Sequence, residues 1–139
     1  MQRNQTIIMS NDIRNQHGAV CWGELVTENP QQAASFYSKV FGWTSETADM
    51  PDGSGQYTCF TTKEGTKVAG AMKPPVEGTP NHWGLHMTVS DIDKAIATTV
   101  AEGGKVLMEP FDCPDGMRIA YLADPQGASF AVIQFNKPL

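Results

Sequence analysis

The stretch Asn29-Pro30-Gln31-Gln32-Ala33-Ala34-Ser35-Phe36-Tyr37-Ser38-Lys39-Val40-Phe41-Gly42 decides the fold. Asn29 offers an N-cap oxygen, Pro30 suits the first helical position, and Gln32 stands where a capping box places its amide. Ala33, Phe36, Tyr37, Val40 and Phe41 recur at helical spacing, and Gly42 ends the run at the favoured C′ position. The same punctuation returns 62 residues later, where Asp91 answers Asn29, Gly104 answers Gly42 and Gly127 answers Gly65. One offset shared by a cap, a helix stop and a turn predicts two copies of a single unit.

Working outward, each copy reads as strand, helix and three further strands. In the first, Ala19–Thr27 suits a strand before the helix, and Trp43–Ala48, Gln56–Thr62 and Lys67–Met72 suit strands after it. The turn Pro51-Asp52-Gly53 separates the first two of these. In the second, Trp83–Val89 is the leading strand, Ser90 or Asp91 caps, and Ile92, Ala95, Ile96, Thr99 and Val100 form the helical stripe. Gly103-Gly104 stops it, and strands at Lys105–Glu109, Arg118–Ala123 and Ser129–Phe135 follow, with Pro114-Asp115-Gly116 as the matching turn. The predicted class is therefore α+β, with tandem βαβββ modules at 18–73 and 81–136 joined by a linker at 74–80. Units of about sixty residues bury too little surface to stand comfortably alone. A single domain over 18–139, curled with pseudo-twofold symmetry around a central cleft, is expected, preceded by a loosely held tail over 1–17.

Composition narrows the partners. Of the 139 residues, 40% are hydrophobic and 18% charged, as in an ordinary globule, and the net charge is −5. Lysines and arginines are scattered, so the basic face that a nucleic acid needs is missing and no such partner is expected. No apolar run reaches the roughly 18 residues of a spanning helix, and the first residues lack a signal peptide's apolar core, so no membrane partner is expected. Cys21, Cys59 and Cys113 are odd in number and far apart, which predicts a reducing, cytoplasmic setting without a disulfide framework.

The paired modules, the Phe36-Tyr37-x-x-x-Phe41-Gly42-Trp43 helix end and the Asp124-Pro125-Gln126-Gly127-Ala128 turn together resemble the vicinal oxygen chelate superfamily. That superfamily includes glyoxalase I, bleomycin-resistance proteins and extradiol dioxygenases, and the resemblance covers roughly residues 18 to 136. It implies a small-molecule ligand, often planar or polyoxygenated, and leaves room for a homodimer. Members that use a metal take ligands from the first and last strand of each module. In this sequence those positions fall on Trp22, Gly84, Ala69 and Ala131, none of which can coordinate an ion through its side chain. No metal and no other cofactor is expected. His82 and His86 do not repair this, because four residues along a strand span roughly 13 Å.

The leading strands supply the polar candidates. In the second, Trp83, Leu85, Met87 and Val89 form an apolar face expected under the helix, leaving Gly84, His86 and Thr88 on the other side. The 62-residue offset maps the latter set onto Trp22, Glu24 and Val26. Glu24 and His86 are thus counterparts and the leading candidates for acid/base catalysis, with Trp22, Glu24, His86 and Arg118 as ligand-binding residues. Arg118 would suit an anionic group, though it and Tyr121 alternate to opposite faces of one strand. Trp43 and Trp83 are expected in the core, while Cys59 and Cys113 lack the paired base of a nucleophile. Two functions are compatible with these residues. One is a small-molecule binding protein of the glyoxalase/bleomycin-resistance kind. The other is a lyase, isomerase or oxygenase-like enzyme that moves protons with Glu24 and His86.

Overall fold

The computed structural model describes residues 13–113 and 116–135. The stretch Ile7-Ile8-Met9, Pro114 and Asp115 of the second expected turn, and position 136 at the end of the second module lie outside the described residues. The chain is α+β, with strands β1 (Val20–Val26), β2 (Thr44–Asp49), β3 (Gln56–Thr61), β4 (Lys67–Met72), β5 (His82–Thr88), β6 (Lys105–Asp112), β7 (Met117–Ala123) and β8 (Ser129–Phe135). Helix α1 (Pro30–Phe41) follows β1 and helix α2 (Ile92–Ala101) follows β5. Two compact units result: residues 22–84, and residues 85–135 together with the described part of the chain before residue 22.

In the first unit the sheet runs β1–β4–β3–β2, with β1 and β4 parallel and the other pairs antiparallel. The helix signals act as their chemistry dictates. The Asn29 side chain accepts from the Gln32 N–H at 3.0 Å, Pro30 opens α1, and Gly42 takes the left-handed conformation, φ 74°, that a Cβ would oppose. Leu25, Phe60, Ala69 and Ala71 are buried beneath α1, against Ala33, Ala34, Tyr37 and Trp43. Trp83, expected in the core, is instead 41% exposed; its indole N–H donates to the Tyr37 hydroxyl at 3.0 Å at the edge of this aromatic cluster.

The second unit repeats the order as β5–β8–β7–β6, with β5 and β8 parallel. Asp91 is the cap, accepting from the Lys94 N–H at 3.1 Å. The Gln134 side chain on β8 adds a second cap by accepting from the Ile92 N–H at 2.7 Å. Val89, Ile92, Ala120, Leu122 and Val132 form the core under α2. The apolar face expected on β5 is only partly covered, since Leu85 is exposed and Met87 half-buried. His86 and Thr88, on the opposite face, are buried.

Part of that burial comes from the segment before β1. The Thr88 hydroxyl donates to the Ile13 carbonyl at 2.8 Å, His17 Nδ1 accepts from the Ser90 N–H at 3.1 Å, and Arg14 lies over the Phe135 ring. Residues 13–17, expected within a loose tail, therefore pack on their unit. The other departure from expectation is β6, which runs through Pro110 to Asp112. Its pairing with β7 shifts register between Met108 and Phe111, so Pro110 sits at an irregularity on an outer strand, where a missing N–H is tolerated.

Candidate functional site

In the first unit, strand alternation sorts side chains by face. Leu25 on β1, Phe60 on β3 and Ala71 on β4 point at α1, so Trp22, Glu24, Tyr57, Cys59 and Gly70 occupy the far face. Glu24 stands opposite Gly70, and Gly70 opposite Cys59, across three adjacent strands. Tyr57 lies over Gly70 so closely that a Cβ there would overlap its hydroxyl and its Cζ. The Trp22 indole N–H donates to the Tyr57 hydroxyl at 2.9 Å, and that hydroxyl donates onward to the Glu24 carboxylate.

This chain of hydrogen bonds sets the electrostatics. Burial pushes the Tyr57 phenol well above its ordinary range, and the Glu24 charge raises it further, while the Trp22 hydrogen bond opposes the shift. Tyr57 is thus a neutral donor fixed on a carboxylate. Glu24 itself is 8% exposed, an acid buried in the middle of a strand. Burial also raises the Cys59 thiol, with exposed Lys67 pulling the other way and Glu46 adding to the rise, which makes Cys59 a poor nucleophile.

The second unit has its own far face. His86 is 3% exposed and stands opposite Ala131, which stands opposite Tyr121. The His86 and Tyr121 rings meet edge to face at 5.9 Å, and Tyr121 stacks on Phe111. The Cys21 thiol donates to the His86 carbonyl at 3.5 Å and is raised chiefly by burial. Of the two candidates on β7, Arg118 lies on the helix side. Its guanidinium is 3.0 Å from Asp112 and 3.9 Å from Asp93 of α2, so Tyr121, not Arg118, shares the face of His86.

One expected position needs correction. Phe60 pairs with Ala69 and Thr61 with Lys67, so Val68 is an extra residue in β4, a bulge. Ala69 consequently falls in the core beneath α1, and Gly70 takes the far-face position that Ala131 holds in the second unit. The positions corresponding to a metal site are then Trp22, Gly70, Gly84 and Ala131, none of which can coordinate an ion through its side chain. Among the described residues, no three His, Cys, Asp or Glu side chains gather closely enough to hold an ion. The site residues do not fit the metal that the resemblance would imply.

Tyr57 and Gly70 escaped the sequence reading. Tyr57 is 35 residues from Trp22, and no periodicity links them. The available signal was alternation along β3, where Phe60 assigned to the core places Tyr57 and Cys59 opposite.

Residues 18–132 match the family model of the Glyoxalase/Bleomycin resistance protein/Dioxygenase superfamily, and the chain belongs to that family. Among curated relatives, the protein of Mycobacterium tuberculosis named "Putative glyoxylase CFP32" is 39% identical over 120 residues, covering 86% of this chain and 45% of the relative. The anthracycline biosynthesis protein DnrV of Streptomyces peucetius is 32% identical over 129 residues, covering 83% of this chain and 46% of that protein. The chain thus spans about half the length of the curated relatives it matches. Among solved structures, methylmalonyl-CoA epimerase from Mycobacterium tuberculosis superposes with a TM-score of 0.65 at 14% identity, over 86% of this chain and 89% of that one. A Streptomyces coelicolor methylmalonyl-CoA epimerase bound to 2-nitronate-propionyl-CoA gives 0.62 at 17% identity, over 85% and 97%. At these identities the likeness is one of fold.

Proposed function

We propose that the protein binds a small organic molecule on the far face of the first unit without a resident metal. Glu24 is its polar anchor, and Trp22 and Tyr57 form an aromatic wall. The observation that carries this reading is the buried Glu24 carboxylate, held by a neutral phenol on a face that α1 does not cover. Burying a charge is costly unless other groups hold it, and a strand interior built only for packing would use an apolar residue there. In its own unit, His86 is the corresponding ligand-contacting residue, with Tyr121 beside it.

A second reading, proton transfer by Glu24, with His86 as the acid/base candidate of its own unit, is favoured by the same carboxylate, which is buried within a strand and held by a phenol. A cytoplasmic setting suits Cys21, Cys59 and Cys113, which are reduced thiols. Among the described residues no helix is long and apolar enough to cross a membrane. Pairing of two chains belongs to the proposal too, because Phe36, Val40 and Phe41 leave an apolar ridge on α1, each more than half exposed.

The test follows ligand-induced shifts of the Trp22 indole N–H by nuclear magnetic resonance against a library of small aromatic compounds. Glu24→Gln and His86→Asn are run beside the wild type. Binding that weakens in Glu24→Gln while the melting temperature holds supports the reading. A stoichiometric, protein-held divalent ion in the purified protein, or a Trp22 signal indifferent to every compound, overturns it.

A further inference from the structure

The two units differ on the helix side of their sheets. In the first, a Cβ built on Gly23 would meet the Trp83 ring at 3.5 Å and the Ala69 Cβ at 3.8 Å, so that indole lies over the Gly23–Ala69 strand pair. Its N–H donates to the Tyr37 hydroxyl of α1 at 3.0 Å, and Trp43 adjoins it. In the second unit Leu85 and Phe130, which precede the paired His86 and Ala131, take the places of Gly23 and Ala69. The aromatic groups are not repeated. The 62-residue offset puts Cys21 at the position of Trp83, Thr99 at that of Tyr37 and Lys105 at that of Trp43. The Thr99 hydroxyl turns back to the Ala95 carbonyl of its own helix at 2.8 Å. What remains beside half-exposed Leu85 is a cavity of about 350 Å³ lined by Leu85, Met87, Asp124, Ala128, Ser129 and Phe130, all of one unit.

We infer that this cavity is a second binding site, separate from the Glu24 face, for a flat aromatic molecule carrying a cationic amine. Its volume lies in the range of small-molecule clefts and exceeds the roughly 150 Å³ of an apolar cavity that holds benzene, so a two-ring system fits. The flat shape is argued from the first unit, where the chain itself supplies an indole at the equivalent place. The amine is argued from charge. Asp124 is the one charged group of the lining, and its Oδ1 is fixed by the Gln126 and Ala128 amides, each at 2.9 Å. An ammonium at that exposed rim is attracted and a carboxylate repelled, a difference of about tenfold in affinity at low salt that weakens as salt is added.

Three probes of one shape test this on the intact protein: tryptamine, 3-ethylindole and indole-3-propionate. The readout is the methyl resonance of Met87, assigned by its loss in Met87→Leu. Tryptamine is expected to saturate it about tenfold more tightly than indole-3-propionate at low salt, with 3-ethylindole between them. Asp124→Asn keeps the oxygen that accepts the turn amides and removes the charge, so it should bring the three affinities together. Ala128→Trp fills the cavity from an exposed position and should abolish the Met87 response. A response that survives Ala128→Trp, equal affinity for the two charged probes, or no saturable response overturns the inference. None of these outcomes touches the reading of the Glu24 face, whose signal is Trp22. A Met87 signal that moves without probe, either with protein concentration or on replacing Ile7 and Ile8 by serine, also overturns it, since a second copy or residues 1–12 of the same chain would then fill the cavity. Should Asp124→Asn not fold, added salt decides in the wild type: the tryptamine preference should fall, and one indifferent to salt overturns the inference.

Discussion

Replacing Gly70 by alanine tests the geometry on which the site depends. Gly70 is absent from the glycines with positive φ, so its backbone accepts any residue, and only space forbids a side chain. The added Cβ would overlap the Tyr57 hydroxyl and Cζ and stand 2.5 Å from Cε2, so the ring must leave. Its departure breaks the bonds to Trp22 and Glu24. Leaving buried polar groups unsatisfied costs about 1–3 kcal/mol. Lost burial of part of the ring adds roughly 1 kcal/mol, since full burial of a large side chain is worth about 1.5–3 kcal/mol. Against this, alanine in a strand gains about 0.5–1 kcal/mol over glycine. The net expectation is destabilisation of about 1–3.5 kcal/mol from these opposing terms.

The decisive measurement is a double-mutant cycle by urea unfolding. With Tyr57→Ala in place the obstacle is gone, and Gly70→Ala should then be neutral or stabilising by up to about 1 kcal/mol. A Gly70→Ala cost that is the same in both backgrounds would refute the placement of Tyr57 over Gly70, and the Trp22–Tyr57–Glu24 chain with it.

Three further outcomes follow from the structure. Because burial and Glu24 raise the Tyr57 phenol, it stays neutral in the folded protein while the unfolded chain ionises it near pH 10; stability is intact below that pH and falls above it by about 1.4 kcal/mol per pH unit. Tyr57→Phe should be less steep than wild type in alkaline unfolding series from pH 10 upward, the remaining slope including the raised thiols of Cys21 and Cys59; identical slopes would contradict the shift. Gln134→Ala removes the acceptor of the Ile92 N–H at the start of α2, and since Ile92 is buried a loss of about 1–3 kcal/mol is expected in denaturant melts. Arg118→Ala breaks ion pairs to exposed Asp112 and Asp93, so it should cost no more than about 1 kcal/mol and leave binding at the Trp22 face unchanged; a large binding defect would put Arg118 back in the site.

The repeat, the caps at Asn29 and Asp91, and the stop at Gly42 were legible because each depends on a few neighbouring residues. The turns were legible for the same reason. Asp124 accepts from the Gln126 and Ala128 amides, much as the Thr62 hydroxyl, 62 residues earlier, accepts from the Thr66 amide. Alternation along β1 put Trp22 and Glu24 on one face, as strand geometry requires of residues two apart.

Tertiary structure decided what depended on partners distant in the chain. The bulge at Val68 is a mismatch between two strands, and it moved the far-face position from Ala69 to Gly70. Which of Arg118 and Tyr121 shared a face with His86 was fixed by the register of β7 on β8 and by Asp93 on α2. The contact of Tyr57 with Trp22 and Glu24 exists only because β3, β4 and β1 lie side by side and Gly70 leaves the space. Local periodicity assigns a residue its face; only the packed sheet assigns it neighbours.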